Sequence, residues 1–164
     1  MRALTMDQAL SIILNTFRHA EEMKSHALAA CVLDAGGRVK AFLKQDGASL
    51  MRFEIARGKA FAALAMNRSS RLVLQKAREK PLFMETLREM ADSPLFLEAG
   101  GQLIRCEDGE IVGAIGVTGD VNEVDDLCAM AGIRAVGLKS DEDFSEAECR
   151  RLNIKRGPPI KDPR

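Results

Sequence analysis

The sequence predicts one α/β domain of the α+β type, in which helices cover an antiparallel β-sheet. Two hairpin patterns and the helical periodicity around them indicate this class. Asp34-Ala-Gly-Gly37 and Glu107-Asp-Gly-Glu110 each separate two short apolar segments, as turns between paired strands do. Because hairpins pair strands antiparallel, a parallel doubly wound sheet is disfavoured.

The N-terminal elements are predicted to be a helix and then the first hairpin. Thr5 and Gln8 have the spacing of a capping box, and apolar residues recur at helical spacing as far as about Lys24. Residues 27–33 form a short apolar run, and residues 38–43 alternate in polarity. We therefore expect these two segments to be the paired strands.

Three helices are predicted between the hairpins. Ser49 can cap a helix over residues 50–66, and Ser70 can cap a second helix that ends before Pro81. Residues 82–90 have the pattern of a third helix.

The second half of the domain is predicted to contain mainly strands. Gly100-Gly101 is interpreted as a flexible joint, and a helix from Asn122 is expected to stop at Gly132. The predicted strands cover residues 95–97, 103–106, 111–117 and 135–138.

Composition limits the possible classes of protein. The chain has 164 residues, 46% of them hydrophobic, with no Trp or Tyr, so we expect a mainly aliphatic core. Lys+Arg and Asp+Glu both number 24, which argues against a nucleic-acid partner.

The four cysteines form no C-x-x-C pair, so we expect no structural zinc site and a reducing compartment. The N-terminal residues lack the pattern of a signal peptide, and no apolar run has membrane-spanning length, so we expect a cytoplasmic protein without a membrane partner.

The composition changes near residue 139, where a charged segment that contains three of the five prolines begins. We therefore divide the chain into a domain over residues 1–138 and an extension over residues 139–164. Ser145 could start one short helix, and the rest of the extension is expected to be a mobile tail or an arm on a partner subunit.

The segment Val112 to Asp120 predicts the position of a site. Gly113 and Gly116 omit side chains from a predicted central strand, as happens where a backbone or a ligand must come close. The strand ends in Thr118-Gly119-Asp120, directly before a helix N-terminus, where backbone N–H groups can hold an anion.

Four charged residues are candidates for catalysis, each with a simpler alternative. Lys59 lies among alanines of a predicted helix, where it could hold a carboxylate or simply face solvent. Asp46 could cap a helix or present a carboxylate to a pocket. Glu123 and Asp125 could act as a general base, or only complement the helix dipole.

The chain resembles the GlcG/HbpS-like family, the haem-binding or haem-degrading domain family. The same domain type occurs at the C-terminal end of some corrinoid adenosyltransferases. The resemblance covers about residues 4–138. It rests on five motifs taken together: Leu4-Thr-Met-Asp-Gln-Ala-Leu10, Val32-Leu-Asp-Ala-Gly-Gly37, Asp46-Gly-Ala48, Ile55-Ala-Arg-Gly-Lys-Ala60 and Gly109-Glu-Ile-Val-Gly-Ala-Ile-Gly-Val-Thr-Gly119.

The resemblance implies a five-stranded antiparallel sheet between helices, similar to profilin-like folds, and homo-oligomers built from dimers. It also implies haem as a ligand, for which His19 or His26 could supply the axial donor. Both histidines have the alternative of being ordinary surface residues. The sequence departs from the family pattern at Lys44-Gln45, Gly58, Gly100 to Ile104, and Asp120.

Two functional hypotheses follow. The first is a binding protein for haem, another tetrapyrrole or a small organic anion, with a pocket built from Gly100, Gly101, Thr118, Gly119 and Asp120 beside Lys59. The second is an enzyme of small carboxylic acid catabolism, working by proton transfer, hydration or lyase chemistry. In that enzyme Lys59 would hold the substrate, and Asp46, Glu123 or Asp125 would be the base.

Overall fold

The structure is a computed structural model and describes residues 2–164. Within that range the chain forms six α-helices and four β-strands. In chain order they are α1 (Met6–Glu22), β1 (Ala29–Asp34), β2 (Val39–Lys44), α2 (Arg52–Met66), α3 (Ser70–Glu79), α4 (Pro81–Met90), β3 (Gly101–Arg105), β4 (Ile111–Thr118), α5 (Asn122–Ala135) and α6 (Glu146–Leu152).

The predicted α+β class and the antiparallel sheet are confirmed, but the sheet has four strands, in the order β2-β1-β4-β3, and not five. Residues 95–97 are not a strand, because the Phe96 amide donates to the carbonyl of Gly58 in α2 (3.1 Å). Residues 135–138 are not a strand either: α5 continues to Ala135, and only Lys139 pairs with β3, through Arg105.

Each face of the sheet carries its own apolar core. One face packs against α1 and α5, with Ile12, Val32, Ile115 and Ile133 fully buried. The other face packs against α2, and its core is built from smaller side chains: Cys31, Leu33, Ala56, Ala60, Ala63, Leu103 and Ala114. The alternation of Cys31, Val32 and Leu33 between the two faces follows from the two-residue period of a strand.

Helix α2 lies unusually close to the strands beneath it. A Cβ atom on Gly116 would be 1.9 Å from the carbonyl oxygen of Ala56, so a backbone, rather than a ligand, occupies the space left there. The interpretation of Gly100-Gly101 as a flexible joint is wrong. Gly101 is buried at the start of β3, where its amide donates to Ser70 Oγ (2.7 Å), and a Cβ atom would be 2.3 Å from the Lys59 carbonyl oxygen.

The helix caps agree with the sequence only in part. The capping box at Thr5 and the helix start at Ser145 are confirmed, and Ser145 also forms a capping box with Glu148. The caps expected at Ser49 and Ser70 are wrong, since α2 and α3 start after Met51 and Ser69 without a side-chain cap.

The expected stop of α5 at Gly132 is also wrong. Gly132 lies inside the helix, against α1, where a Cβ atom would be 2.1 Å from Thr16 Oγ1 and 2.5 Å from the Ile12 carbonyl oxygen. The glycine permits the two helices to touch.

The extension contacts the domain. Asp141, Phe144 and Ile154 are buried, and the Arg105 guanidinium donates to Asp141 Oδ1 (2.6 Å) in an ion pair that excludes solvent. Residues 141–154 are therefore part of the folded body. None of the helices in residues 2–164 combines the length and apolar character needed to cross a membrane.

Replacement of Gly132 by alanine tests the contact between α1 and α5. In an ordinary helix interior this change would raise stability by about 1 kcal/mol. Here we expect the free energy of unfolding to fall by about 1–3 kcal/mol, because the methyl group overlaps Thr16 and Ile12. Urea unfolding followed by circular dichroism measures the change, and a stabilised variant would contradict the close contact.

Candidate functional site

One edge of the sheet brings together most residues predicted for the site. In the antiparallel ladders Ala29 is opposite both Lys44 and Thr118, and Gly101 is opposite Gly116. Four strand ends therefore meet: the start of β1, the end of β2, the start of β3 and the end of β4. We call this the site edge; it carries His26, Asp46, Gly100, Gly101, Thr118, Gly119 and Asp120.

Beneath the site edge, Lys59 forms a buried ion pair. Its Nζ atom donates to Asp125 Oδ2 (3.0 Å) and to the Val117 carbonyl (2.9 Å), and only 4% of its side chain is exposed. Asp125 is still more buried, at 1%. The side chain thus neither faces solvent nor lines an open pocket, and it connects α2 to β4 and α5.

The adjacent carboxylate, Asp126, holds the start of β3. Its Oδ1 atom accepts hydrogen bonds from the Gly100 amide (3.0 Å) and from Gln102 Nε2 (2.6 Å). Burial raises the pKa of Asp126 to about 6, against the opposing effect of these two hydrogen bonds. Burial also raises the pKa of Asp125 to about 6, despite the nearby Lys59 ammonium. The candidates chosen from the sequence did not include Asp126, although it stands between Asp125 and the apolar run that begins at Leu127.

The predicted anion cradle is occupied by carboxylates of the chain itself. Asp125 Oδ1 accepts from the Asp120 amide (3.1 Å), and Asp120 Oδ1 accepts from the Val121 amide (2.8 Å). The Thr118 hydroxyl accepts from the guanidinium of Arg52 (2.9 Å). An external anion would have to displace these groups, and Arg52 is a further site-edge residue that the sequence did not reveal.

Asp120 anchors the loop that carries His26. Its Oδ2 atom accepts from the His26 amide (2.8 Å) and from the Arg164 guanidinium (2.7 Å). Although burial acts in the opposite direction, the hydrogen bonds from His26, Val121 and Arg164 hold the pKa of Asp120 below its ordinary value. A charged carboxylate therefore fixes the backbone at His26.

An open cavity of about 520 Å³ lies beside this loop. Its wall includes both His26 and Asp46, which the sequence proposed separately. Gln45 fixes the far side, since its side-chain oxygen accepts from the Leu28 amide (2.8 Å). The lining residues are Phe17, Glu21, Ser25, His26, Ala27, Leu43, Lys44, Gln45 and Asp46.

Two predicted residues lie elsewhere. His19 is on α1, with 36% of its side chain exposed and its Nδ1 atom 3.5 Å from Glu22 Oε2, and it does not line the cavity beside His26. Glu123 is exposed at the start of α5, on a separate cavity of about 600 Å³ that it shares with Arg71 and Asp126.

The fold and the site edge define a class: a one-domain α+β protein with a helix-covered antiparallel sheet and a cavity at the loop that precedes β1. The chain belongs to the HbpS-like family, since the family model described as "Haem degrading protein HbpS-like" matches residues 4–134. No curated protein matches the sequence.

Solved structures share this fold. A double mutant of HbpS from Streptomyces reticuli is 27% identical, with a TM-score of 0.71, and the match covers 82% of this chain and 88% of that one. ORFY from Klebsiella pneumoniae is 21% identical, with a TM-score of 0.73 and coverage of 84% and 92%. PduOC, in a structure titled as its haem complex, is 20% identical, with a TM-score of 0.73 and coverage of 85% and 99%.

The ion pair between Lys59 and Asp125 can be tested by a double-mutant cycle. We expect Lys59→Met to lower the free energy of unfolding by about 3–5 kcal/mol, because it leaves Asp125 buried without its cation. Adding Asp125→Asn should cost less than the sum of the single changes, with a coupling of about 1–3 kcal/mol. Strictly additive effects in urea unfolding would show that the two charges do not stabilise each other.

The raised pKa of Asp126 predicts a pH-dependent contribution to stability. Between its ordinary value of 3.8 and about 6 the folded state binds the proton more tightly than the unfolded state, so this contribution is full at low pH and falls as pH rises. The stability difference between wild type and Asp126→Asn should fall by about 2–3 kcal/mol from pH 4 to pH 6.5. Glu123→Gln, an exposed carboxyl on the same helix, is the matched control, and a pH-independent difference for Asp126→Asn would contradict the assignment.

Proposed function

We propose that this protein is a haem-binding module whose ligand occupies the cavity beside His26. One observation carries the proposal: an imidazole, an apolar surface and a cation line one open cavity of about 520 Å³. The family description, which names haem degradation, supports it, and so does the fold shared with PduOC, whose structure is titled as a haem complex.

The donors around the cavity fit haem. A neutral imidazole such as that of His26 is a usual axial ligand of haem iron. Phe17 and Leu43 offer apolar contact for the macrocycle, and the Lys44 ammonium offers a counter-charge for a propionate. The volume lies in the range of about 300–1,000 Å³ that is usual for small-molecule sites. When bound, haem would supply an iron centre able to carry out redox and oxygen chemistry.

The rest of the site edge would hold the ligand loop in place. Asp120 accepts from the His26 amide, and Gln45 accepts from the Leu28 amide, so the backbone on both sides of Ala27 is anchored. An anchored loop loses less conformational entropy on ligand binding than a free one. The site edge therefore orients His26 before haem arrives.

The enzyme hypothesis receives less support from this geometry. A substrate carboxylate held by Lys59 would have to replace Asp125 and the Val117 carbonyl, and Lys59 is buried beneath the edge. Asp46, in contrast, lines the cavity beside His26. We therefore favour binding of a tetrapyrrole over turnover of a small organic acid held by Lys59.

Titration with haem tests this proposal. We expect the wild-type protein to shift the Soret band, and His26→Ala to weaken binding by at least about tenfold and to change the ligation spectrum, because the axial donor is lost. His19→Ala is the matched control and should leave both unchanged. A haem spectrum that is lost with His19→Ala but kept with His26→Ala would assign the axial ligand to His19 on α1. The absence of a Soret shift in the wild type would reject haem as the bound molecule.

A further inference from the structure

A further open groove lies away from the site edge. It lies between α3 and the extension, with a volume of about 750 Å³. One wall comes from residues 68–80 and the other from residues 146–158. The second wall lies beyond residue 134, where the match to the family ends. This groove is therefore built by the addition of the extension to the family domain.

The groove concentrates positive charge. It contains two carboxylates, and both already have partners: Glu146 pairs with Arg150 (3.2 Å) and Glu79 accepts from Gln75 (2.9 Å). The chain as a whole has a formal net charge of zero, so this excess is local. The cations that line the groove are Arg68, Lys76, Lys80, Arg150, Lys155 and Arg156.

Two of these cations are fixed by the backbone, one on each wall. Arg68 Nε donates to the Met66 carbonyl (3.1 Å), and Arg156 Nη1 donates to the Phe144 carbonyl (2.8 Å). A guanidinium has five N–H donors, so each keeps further donors after this contact. Two held guanidinium groups on opposite walls are suited to an elongated ligand with an oxyanion at each end.

The concentration of like charges also has an energetic consequence. Cations held on facing walls repel one another, and a cleft with charge of one sign raises the local concentration of counter-ions. A multivalent anion that bridges the walls would remove the repulsion from both sides at once. The groove has no aromatic side chain on which bases could stack, which favours a small polyanion over single-stranded nucleic acid.

We propose that the groove between α3 and the extension binds a small polyphosphate-bearing anion, bridged between Arg68 on one wall and Arg156 on the other. The ligand class is a short chain of two or more linked phosphates, either inorganic polyphosphate or the phosphate chain of a nucleotide. The site is separate from the cavity proposed for haem, with which it shares no lining residue.

Calorimetric titration of the full chain with inorganic tripolyphosphate tests the proposal. We expect saturable binding that weakens as salt rises, since the contacts are ionic. The double variant Lys80→Glu/Lys155→Glu reverses one exposed charge on each wall and should weaken binding by at least about tenfold. The matched control, Lys40→Glu/Arg88→Glu, makes the same change in net charge away from the groove and should weaken binding by less than about twofold. Thermal unfolding confirms that both variants are folded.

Two further arms identify the ligand. If a nucleoside triphosphate and tripolyphosphate bind with equal affinity, the groove recognises the phosphate chain alone. If the nucleoside triphosphate binds more tightly, the groove also recognises the nucleoside, and a nucleotide is the ligand. Citrate, a polyanion without phosphate, should bind more weakly than either. No wild-type binding at millimolar tripolyphosphate, equal weakening in both double variants, or preference for citrate would each overturn the proposal.

Discussion

The buried contact between Lys59 and Asp125 is the constraint on which the arrangement of layers depends. Two charges removed from water must meet at hydrogen-bond distance, so α2 and α5, from opposite sides of the sheet, have to converge at the end of β4. That convergence leaves no room for side chains in between. Gly100 lies at this point, since a Cβ atom there would be 3.1 Å both from Lys59 Nζ and from Asp125 Cβ. Gly101 and Gly116 in turn let the backbone of α2 approach the strands.

At the site edge, the polar residues that stabilise the fold differ from those that are open to a ligand. The carboxylates at 125 and 126 point their oxygens at amides and at Lys59, which stabilises the ends of β3 and β4. Asp120, one step nearer the surface, holds the loop of His26. The carboxylates of Asp120, Asp125 and Asp126 thus have partners within the chain, while His26 and Lys44 stay available at the surface.

The sequence predicted what local patterns control. The hairpins, the order of the helices, the capping box at Thr5 and the helix start at Ser145 follow from turn chemistry and periodicity. The sequence also suggested His26 and Asp46 as separate candidate residues. Only the strand register of the hairpin shows that they are neighbours. The roles of the glycines were predicted least well. From the sequence, Gly101 was interpreted as part of a flexible joint and Gly132 as the end of a helix. Only tertiary packing shows that both are contact points. The sequence also could not predict that Lys59 is buried or that the extension packs on the domain, because both features depend on long-range contacts.

The seating of the extension has a consequence for communication across the molecule. Arg164 reaches back to Asp120 and to the carbonyls of Met23 and Lys24, so one segment touches the support of the His26 loop while its earlier residues form a wall of the basic groove. A change in how this segment packs on the domain would therefore act on both regions. Where occupation of one region changes the affinity of the other, thermodynamic reciprocity requires the reverse effect to be equal in size.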